Sequence, residues 1–206
     1  MKQPPLQPSL KVARLVGERV ELRGIVPADA AACFALIHDK REITDWLVWD
    51  GPDRLEDLEP WYKSWRHGDV EAGFDYHLAI IDPVDGCFSG SIGVRFAGHP
   101  FRGDLGYWLD SDRWGRGMVG EAVAMVTWLA FEQLEAQLVF ARLFDDNHAS
   151  RKVLERNGFV EDPAGRIDTT KRGQPRCELF FGLSRTEWIA GGRSGAPREV
   201  HLEVDE

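Results

Sequence analysis

The chain has 206 residues, 43% of them hydrophobic and 29% charged, as in an ordinary globular protein with one core and terminal extensions. Lys and Arg number 25 against 34 Asp and Glu, a net charge of −9, which excludes non-specific nucleic-acid binding built on cations neutralising phosphates. Cys33, Cys87 and Cys177 form no CxxC pair, so neither a disulfide scaffold nor a zinc site is expected, and a cytoplasmic setting is. The longest uncharged apolar run, Ala122–Phe131, falls far short of the roughly 20 residues that span a bilayer, and Met1–Val16 shows no signal peptide.

In chain order, residues 1–17 read as a proline-rich N-terminal extension and residues 191–206 as a glycine-rich, then acidic, disordered tail, leaving a domain at 18–190. Glu18–Ile25 alternates like a half-exposed strand, and Pro27–Lys40 reads as a helix with Phe34 and Ile37 on one face. Asp53 with Glu56 forms a capping box for a second helix through Leu55, Leu58, Tyr62 and Trp65, with Pro60 inside it. Phe74–Ile81 and Cys87–Phe96, joined by Asp82-Pro83-Val84-Asp85-Gly86, predict a hairpin. Gly103–Asp110 is a short strand. Val119, Ala122, Val123, Val126, Ala130 and Leu134 then mark one long amphipathic helix. Gln137–Phe144 is a strand, Ala149–Arg156 a helix and Arg176–Leu183 a final strand. This order predicts an α+β, or mixed α/β, fold around one sheet.

Two segments carry chemistry. The first is Trp114-Gly115-Arg116-Gly117-Met118-Val119-Gly120-Glu121, between a strand and the long helix. Its glycines permit tight turns and close approach to a ligand, and the free amides of a helix's first turn suit a phosphate or pyrophosphate. Arg113 and Arg116 add positive charge. A turn that needs glycine for geometry alone is the other reading, and neither the Walker pattern nor a complete G-x-G-x-x-G is present. The second segment is Asn147-His148-Ala149-Ser150-Arg151-Lys152, running on to Asn157-Gly158-Phe159. There Asn147 or Ser150 can cap a helix and Gly158 can end it.

Together and in this order, the two segments resemble the GNAT acetyltransferase superfamily, and within it the branch of the ribosomal-protein N-acetyltransferases RimJ and RimL. The resemblance runs from about Glu18 to Ile189. It implies a GNAT fold: one central, mostly antiparallel sheet, split between two adjacent strands and flanked by helices. It implies acetyl-CoA as cosubstrate, with Leu105–Leu109 offering main-chain groups to the pantetheine arm. The cofactor-binding set is then Trp108, Leu109, Asp110, Arg113, Trp114, Gly115, Arg116, Gly117, Met118, Val119, Gly120, Glu121, Asn147, Ser150 and Arg151. Two of these become catalytic candidates, Ser150 as the acid beside the leaving thiolate and Leu109 through its backbone amide as an oxyanion donor. Trp114 and Val119 depart from the superfamily's usual residues at their positions.

The implied activity is transfer of acetyl from acetyl-CoA to a primary amine by direct attack in a ternary complex. The amine must be neutral to attack. At pH 7 deprotonation costs about 4.6 kcal/mol for a lysine side chain and about 1 for an α-amine, so an enzyme acting on α-amines needs a strong base less. Asp110, Glu178 and His77 are candidates for that base, and the sequence assigns none of them. Trp46, Trp49, Trp61 and Trp65 crowd the region expected to flank the acceptor, with Trp49 and Asp50 as substrate-binding candidates. The acidic stretch Asp50–Glu59 suits a cationic acceptor as well as a solvated face. No metal, nucleic acid or membrane partner is expected; oligomeric state, a homodimer included, stays open. The rival readings are a non-catalytic acyl-CoA-binding or regulatory module on the same fold, and a phosphate-binding module whose sheet has no split.

Overall fold

Alternating apolar residues build most of the strands of the computed structural model, which describes residues 10–58, 75–96, 99, 101–192 and 194–204. Strands β1 (Leu10–Val16), β2 (Glu21–Gly24), β3 (Asp75–Ile81), β4 (Phe88–Arg95) and β5 (Arg102–Leu109) precede helix α3 (Met118–Trp128). Helices α1 (Asp29–Asp39) and α2 (Arg41–Thr44) lie between β2 and β3. After α3 come β6 (Leu138–Phe144), α4 (His148–Arg156), β7 (Val160–Lys171), β8 (Gln174–Ser184), α5 (Arg185–Ala190) and β9 (Glu199–Val204). The strands form one nine-stranded sheet in the order β7-β8-β6-β5-β4-β3-β2-β1-β9.

Every neighbouring pair is antiparallel except β5–β6, which is parallel. That pairing runs from Arg102 opposite Leu138 to Leu105 opposite Ala141 and stops there, although both strands continue. The expected split is therefore between β5 and β6. The larger core lies under α3, where Ala122, Val123, Val126, Leu129 and Phe131 meet Leu105, Leu143, Leu154 and Leu179. A smaller core on the opposite face gathers Cys33, Ile37, Leu58, Ala79 and Ile81, with Trp49 and Trp108 packed against it. The long helix forms as expected, and its last turn, Leu129–Gln133, widens to π geometry. Among the described residues no helix is long and apolar enough to cross a membrane.

The structure corrects the termini. The chain before Gly17 contains β1, with Val12 and Leu15 buried, and the tail expected to be disordered contains β9, which pairs along β1. Lys11 meets Glu203 at 3.0 Å and Arg198 meets Glu18 at 2.5 Å. Like charge in the tail masked the short alternation of Val200 and Leu202, and a strand needs only one willing neighbour. Strand β7 was also unread: its residues are mostly exposed, so it shows no apolar alternation. Its turn into β8 places Arg172 and Gly173 at φ +47° and +75°, the two positive angles of a tight hairpin turn. The capping box at Asp53 yields only a 3₁₀ turn, Leu55–Leu58, in which Asp57 rather than Asp53 accepts, from the Arg54 amide at 3.1 Å. The rest of that expected helix, with Trp61 and Trp65, lies outside the described residues.

Candidate active site

Where β5 parts from β6, a cleft of about 870 Å³ opens through the sheet. Asp110 donates its amide to Ser89 O at 2.7 Å, on the β4 side. Strand alternation then turns the main-chain groups of Leu109 and Tyr107 the other way, toward the gap. The Leu109 carbonyl accepts from Trp114 Nε1 at 2.9 Å, which seats the indole at the mouth of the cleft.

The glycine segment forms one wall. Gly115 and Gly117 adopt φ +77° and +79°, and Gly117 caps α3 with no side chain on the amides behind it. The first internal bond of the helix is Glu121 N to Gly117 O, 3.1 Å. The amides of Met118, Val119 and Gly120 thus lack intrahelical partners at the positive end of the helix dipole. A Cβ at Gly115 or Gly120 would meet nothing within 4 Å. These are the properties of an anion cradle.

Several side chains assigned to the cofactor have other partners. Glu121 accepts from the Glu18 and Arg19 amides at 2.6 Å each, tying α3 to the β1–β2 turn, and its own amide is inside the helix. Arg113 lines the cleft, yet its guanidinium pairs with Asp82, with Asp85 at 2.7 Å and with Asp110 at 3.7 Å. Asp110 is buried against Lys40 and accepts from the Asp112 amide at 3.1 Å. Arg116 donates to the Asp112 carbonyl at 2.8 Å. Arg151 pairs with Glu161 at 2.7 Å and stacks on Phe181. Lys152 and Arg156, one turn apart and exposed, line the cleft instead. Their i, i+4 spacing was the available signal.

Asn147 Oδ1 accepts from Ser150 N at 3.0 Å, so Asn147 is the cap of α4 and the Ser150 hydroxyl is not. That hydroxyl meets Tyr107 Oη at 2.6 Å. Burial pushes the Tyr107 phenol up to about 12, against a smaller opposing effect of the Ser150 hydrogen bond, so it stays neutral near pH 7 and either hydroxyl can donate to the other. The sequence reading missed Tyr107, whose partner is remote in the chain. Asn157 Nδ2 reaches the Gly120 carbonyl at 3.2 Å, locking the two motif helices together. Gly158 at φ +84° ends α4, and Phe159 is buried behind it.

The opposite face supplies the other walls. Gly93 and Gly106 face each other across β4 and β5, with His77 opposite Gly93 and Trp108 opposite Ser91. Trp46 and Trp49 line this side; Asp50 does not. Asp50 pairs with Lys171 at 2.5 Å and Arg172 at 3.1 Å, a link that fastens the β7–β8 turn to the 44–50 segment. Of the three candidate bases, Asp110 is removed by its pairing with Lys40, while His77 and Glu178 line the cleft. Burial, and then Arg95, push the His77 imidazole down to about 4, leaving it neutral near pH 7.

The sequence profile described as the acetyltransferase (GNAT) domain matches residues 19–160. A Bacillus subtilis (strain 168) protein named "Putative ribosomal N-acetyltransferase YdaF" is 27% identical over 182 residues, covering 84% of this chain and 95% of its own. Among solved structures, Mycobacterium smegmatis RimJ, in complex with CoA-disulfide, has a TM-score of 0.72 at 24% identity, over 92% of this chain and 98% of its own. A Vibrio cholerae spermidine N-acetyltransferase, in complex with CoA and spermine, has a TM-score of 0.73 at 14% identity, over 84% of this chain and 99% of its own. With the matched profile spanning well over half of the residues, and the split sheet and glycine-capped helix in place, the chain belongs to the GNAT acetyltransferase family, whose N-acetyltransferases take their acetyl group from acetyl-CoA.

Proposed function

We propose that this N-acetyltransferase carries acetyl-CoA on the α3–α4 side of the split and a primary amine on the opposite side, with direct attack between them. The single observation behind this reading is the cleft itself, which passes through the sheet and has an anion cradle on one side and an aromatic, charge-lined pocket on the other. The fit to CoA rests on the unpartnered amides of Met118, Val119 and Gly120 and the open space beside Gly115 and Gly120. These amides would hold the pyrophosphate, Lys152 and Arg156 would add positive charge, and the gap-facing main chain of Tyr107 and Leu109 would hold the pantetheine arm. Acetyl-CoA supplies the activated acetyl group. Leu109's amide is the donor for charge developing on the carbonyl oxygen. Ser150, backed by Tyr107, delivers a proton to the departing thiolate, which as a weak base needs only a weak acid.

The acceptor is an α-amine in this reading; the Bacillus subtilis relative is named "Putative ribosomal N-acetyltransferase YdaF". An α-amine is cheaper to neutralise than a lysine side chain. The test compares a tetrapeptide with a free N-terminus against spermidine, following thiol release from acetyl-CoA. Faster release with the peptide is expected. Release with spermidine alone would replace the α-amine by a polyamine, and release with neither, together with no effect of CoA on Tm, would overturn the transferase reading.

A further inference from the structure

We infer that Glu178 receives the acceptor's ammonium and takes its protons. This rests on the transferase reading above and names the acceptor-side group that it lacks.

Glu178 lies on β8 opposite Phe144, the last residue of β6, beyond the point where β6 has left β5. Its neighbours Cys177 and Leu179 turn into the larger core, so by strand alternation Glu178 projects from the opposite face. It is 7% exposed and lines the cleft. Its Oε2 is buried without a hydrogen-bond partner. The nearest charge on it, Arg142 Nη1 at 3.6 Å, is within ion-pair range but beyond a hydrogen bond, and Arg142 is shared with Asp104 at 3.3 Å. Arg176, two residues back on β8, pairs with Asp146 at 2.7 Å and stacks on Phe144 and Trp46.

Nothing in the fold requires an acid here. Burying a carboxylate oxygen without a donor is costly, and buried polar atoms are nearly always satisfied. Asp104, in the same charged group, shows the contrast: Arg95 and Arg142 each reach it at 3.3 Å. The missing donor at Glu178 is what a primary ammonium brings. There is also room for one to enter. Gly106 has no positive φ that would demand glycine, and a Cβ there would meet nothing within 4 Å. Facing Gly93, it leaves a floor without side chains in front of His77 and Trp108.

The placement suits the reaction. The Ser150–Tyr107 pair lies on the α4 side of the sheet and Glu178 on the other, so the leaving group and the incoming nitrogen are served from opposite sides. Glu178 takes one proton from the ammonium and passes it to water. The amine's lone pair forms the N–C bond to the thioester carbonyl carbon, and the C–S bond breaks with its electron pair on sulfur. The nitrogen's second proton goes to Glu178, sulfur is protonated from Ser150, and exchange with water restores both side chains. The sum is ammonium plus thioester giving amide, thiol and one proton.

The test is Glu178→Gln, with the same tetrapeptide and spermidine as acceptor probes. Expected are a Tm equal to or above wild type, an unchanged Tm rise with CoA, and a fall of at least about 100-fold in kcat/KM for whichever probe the wild type acetylates. Glu178→Asp should recover part of the rate. Activity within about threefold of wild type would overturn the assignment. So would a Tm drop of more than about 5 °C, because Glu178 would then be holding the fold together; this arm needs no acceptor. A second variant, Gly106→Val, should raise the acceptor KM while leaving the CoA-induced Tm rise intact; an unchanged acceptor KM would overturn the proposed entry path. Failure of the transferase reading shows separately, as a wild type that releases thiol with neither probe and does not respond to CoA.

Discussion

The two sides of the cleft are held in shape by different means. On the α3–α4 side, backbone turns and short amide side chains do it: Gly115 and Gly117 in left-handed conformation, Asn147 capping Ser150, Asn157 reaching the Gly120 carbonyl. On the other side, long charged side chains join segments far apart in the chain. Lys171 donates to the Trp49 carbonyl at 3.0 Å, Arg172 reaches Thr44 Oγ1 at 2.7 Å, and Arg142 reaches Asp104 at 3.3 Å. A wall of fixed dihedrals cannot shift without breaking a helix start, whereas a wall of ion pairs can be retuned one residue at a time. In the function proposed above, the rigid side faces the constant half of the reaction, the nucleotide thioester, and the adjustable side faces the acceptor.

The comparison breaks most sharply at Gly120. An aspartate there, in the first turn of α3, has open space for its side chain and a favourable dipole, so the free protein should keep its Tm within about 2 °C. The carboxylate would occupy the anion cradle. Gly120→Asp should lose the CoA-induced Tm rise altogether, since a ligand stabilises only by binding the folded state. An undiminished rise would remove the pyrophosphate from the start of α3.

Next in size is the Ser150–Tyr107 pair. Because Asn147 already caps the helix, Ser150→Ala removes no cap, and a rate loss cannot be ascribed to one. Turnover and kcat/KM should fall together by about 100-fold with CoA affinity unchanged, as for a group that acts in the transition state. Tyr107→Phe should cost about tenfold, and the double variant little more than Ser150→Ala alone, since the phenol acts through the hydroxyl. Additive losses would separate the two residues, and turnover within twofold of wild type in Ser150→Ala would leave the thiolate to depart unaided.

The same contrast explains what was legible in the sequence. The glycine segment, the long helix and the Asn147–Ser150 start of α4 are local patterns, and each sits where its pattern puts it. The split follows from motif order through the family resemblance. The Tyr107–Ser150 pair and the Asp50 link were not legible, because the partners are more than 30 residues apart in the chain, and Glu178 was legible only as one of three candidate bases. The partners of Arg113 and Arg151 were hidden for the same reason: a cation beside a motif shows no partner until the fold brings Asp85 or Glu161 to it. Strands β7 and β9 escaped because the two edges of the sheet need little apolar alternation, and β1 because its buried residues, Val12 and Leu15, stand three apart and break the alternation.

The smallest expected effect tests whether the adjustable wall shapes the acceptor pocket. Lys171 is 6% exposed and ties Asp50 and the Trp49 carbonyl to the β7–β8 turn. The hydrogen bond from Lys171, then the charges of Lys171 and Arg172, hold the Asp50 carboxyl below its usual range. The link is therefore fully charged above the ordinary aspartate pKa of about 3.9 and is lost only as pH falls through the lower folded value. Lys171→Met keeps the packing and removes the charge. With Asp50 largely exposed, the pair contributes only about 1 kcal/mol, equivalent to about a fivefold change. That change should appear in the KM of the acceptor, with kcat and CoA affinity near wild type, because Trp49 loses its tether while α3 and α4 are untouched. Asp50→Asn should have a similar effect, and the double variant should be no worse than either alone. A KM for acetyl-CoA that rises in parallel would show that the two walls move as one body, and the division between a rigid donor side and an adjustable acceptor side would fail.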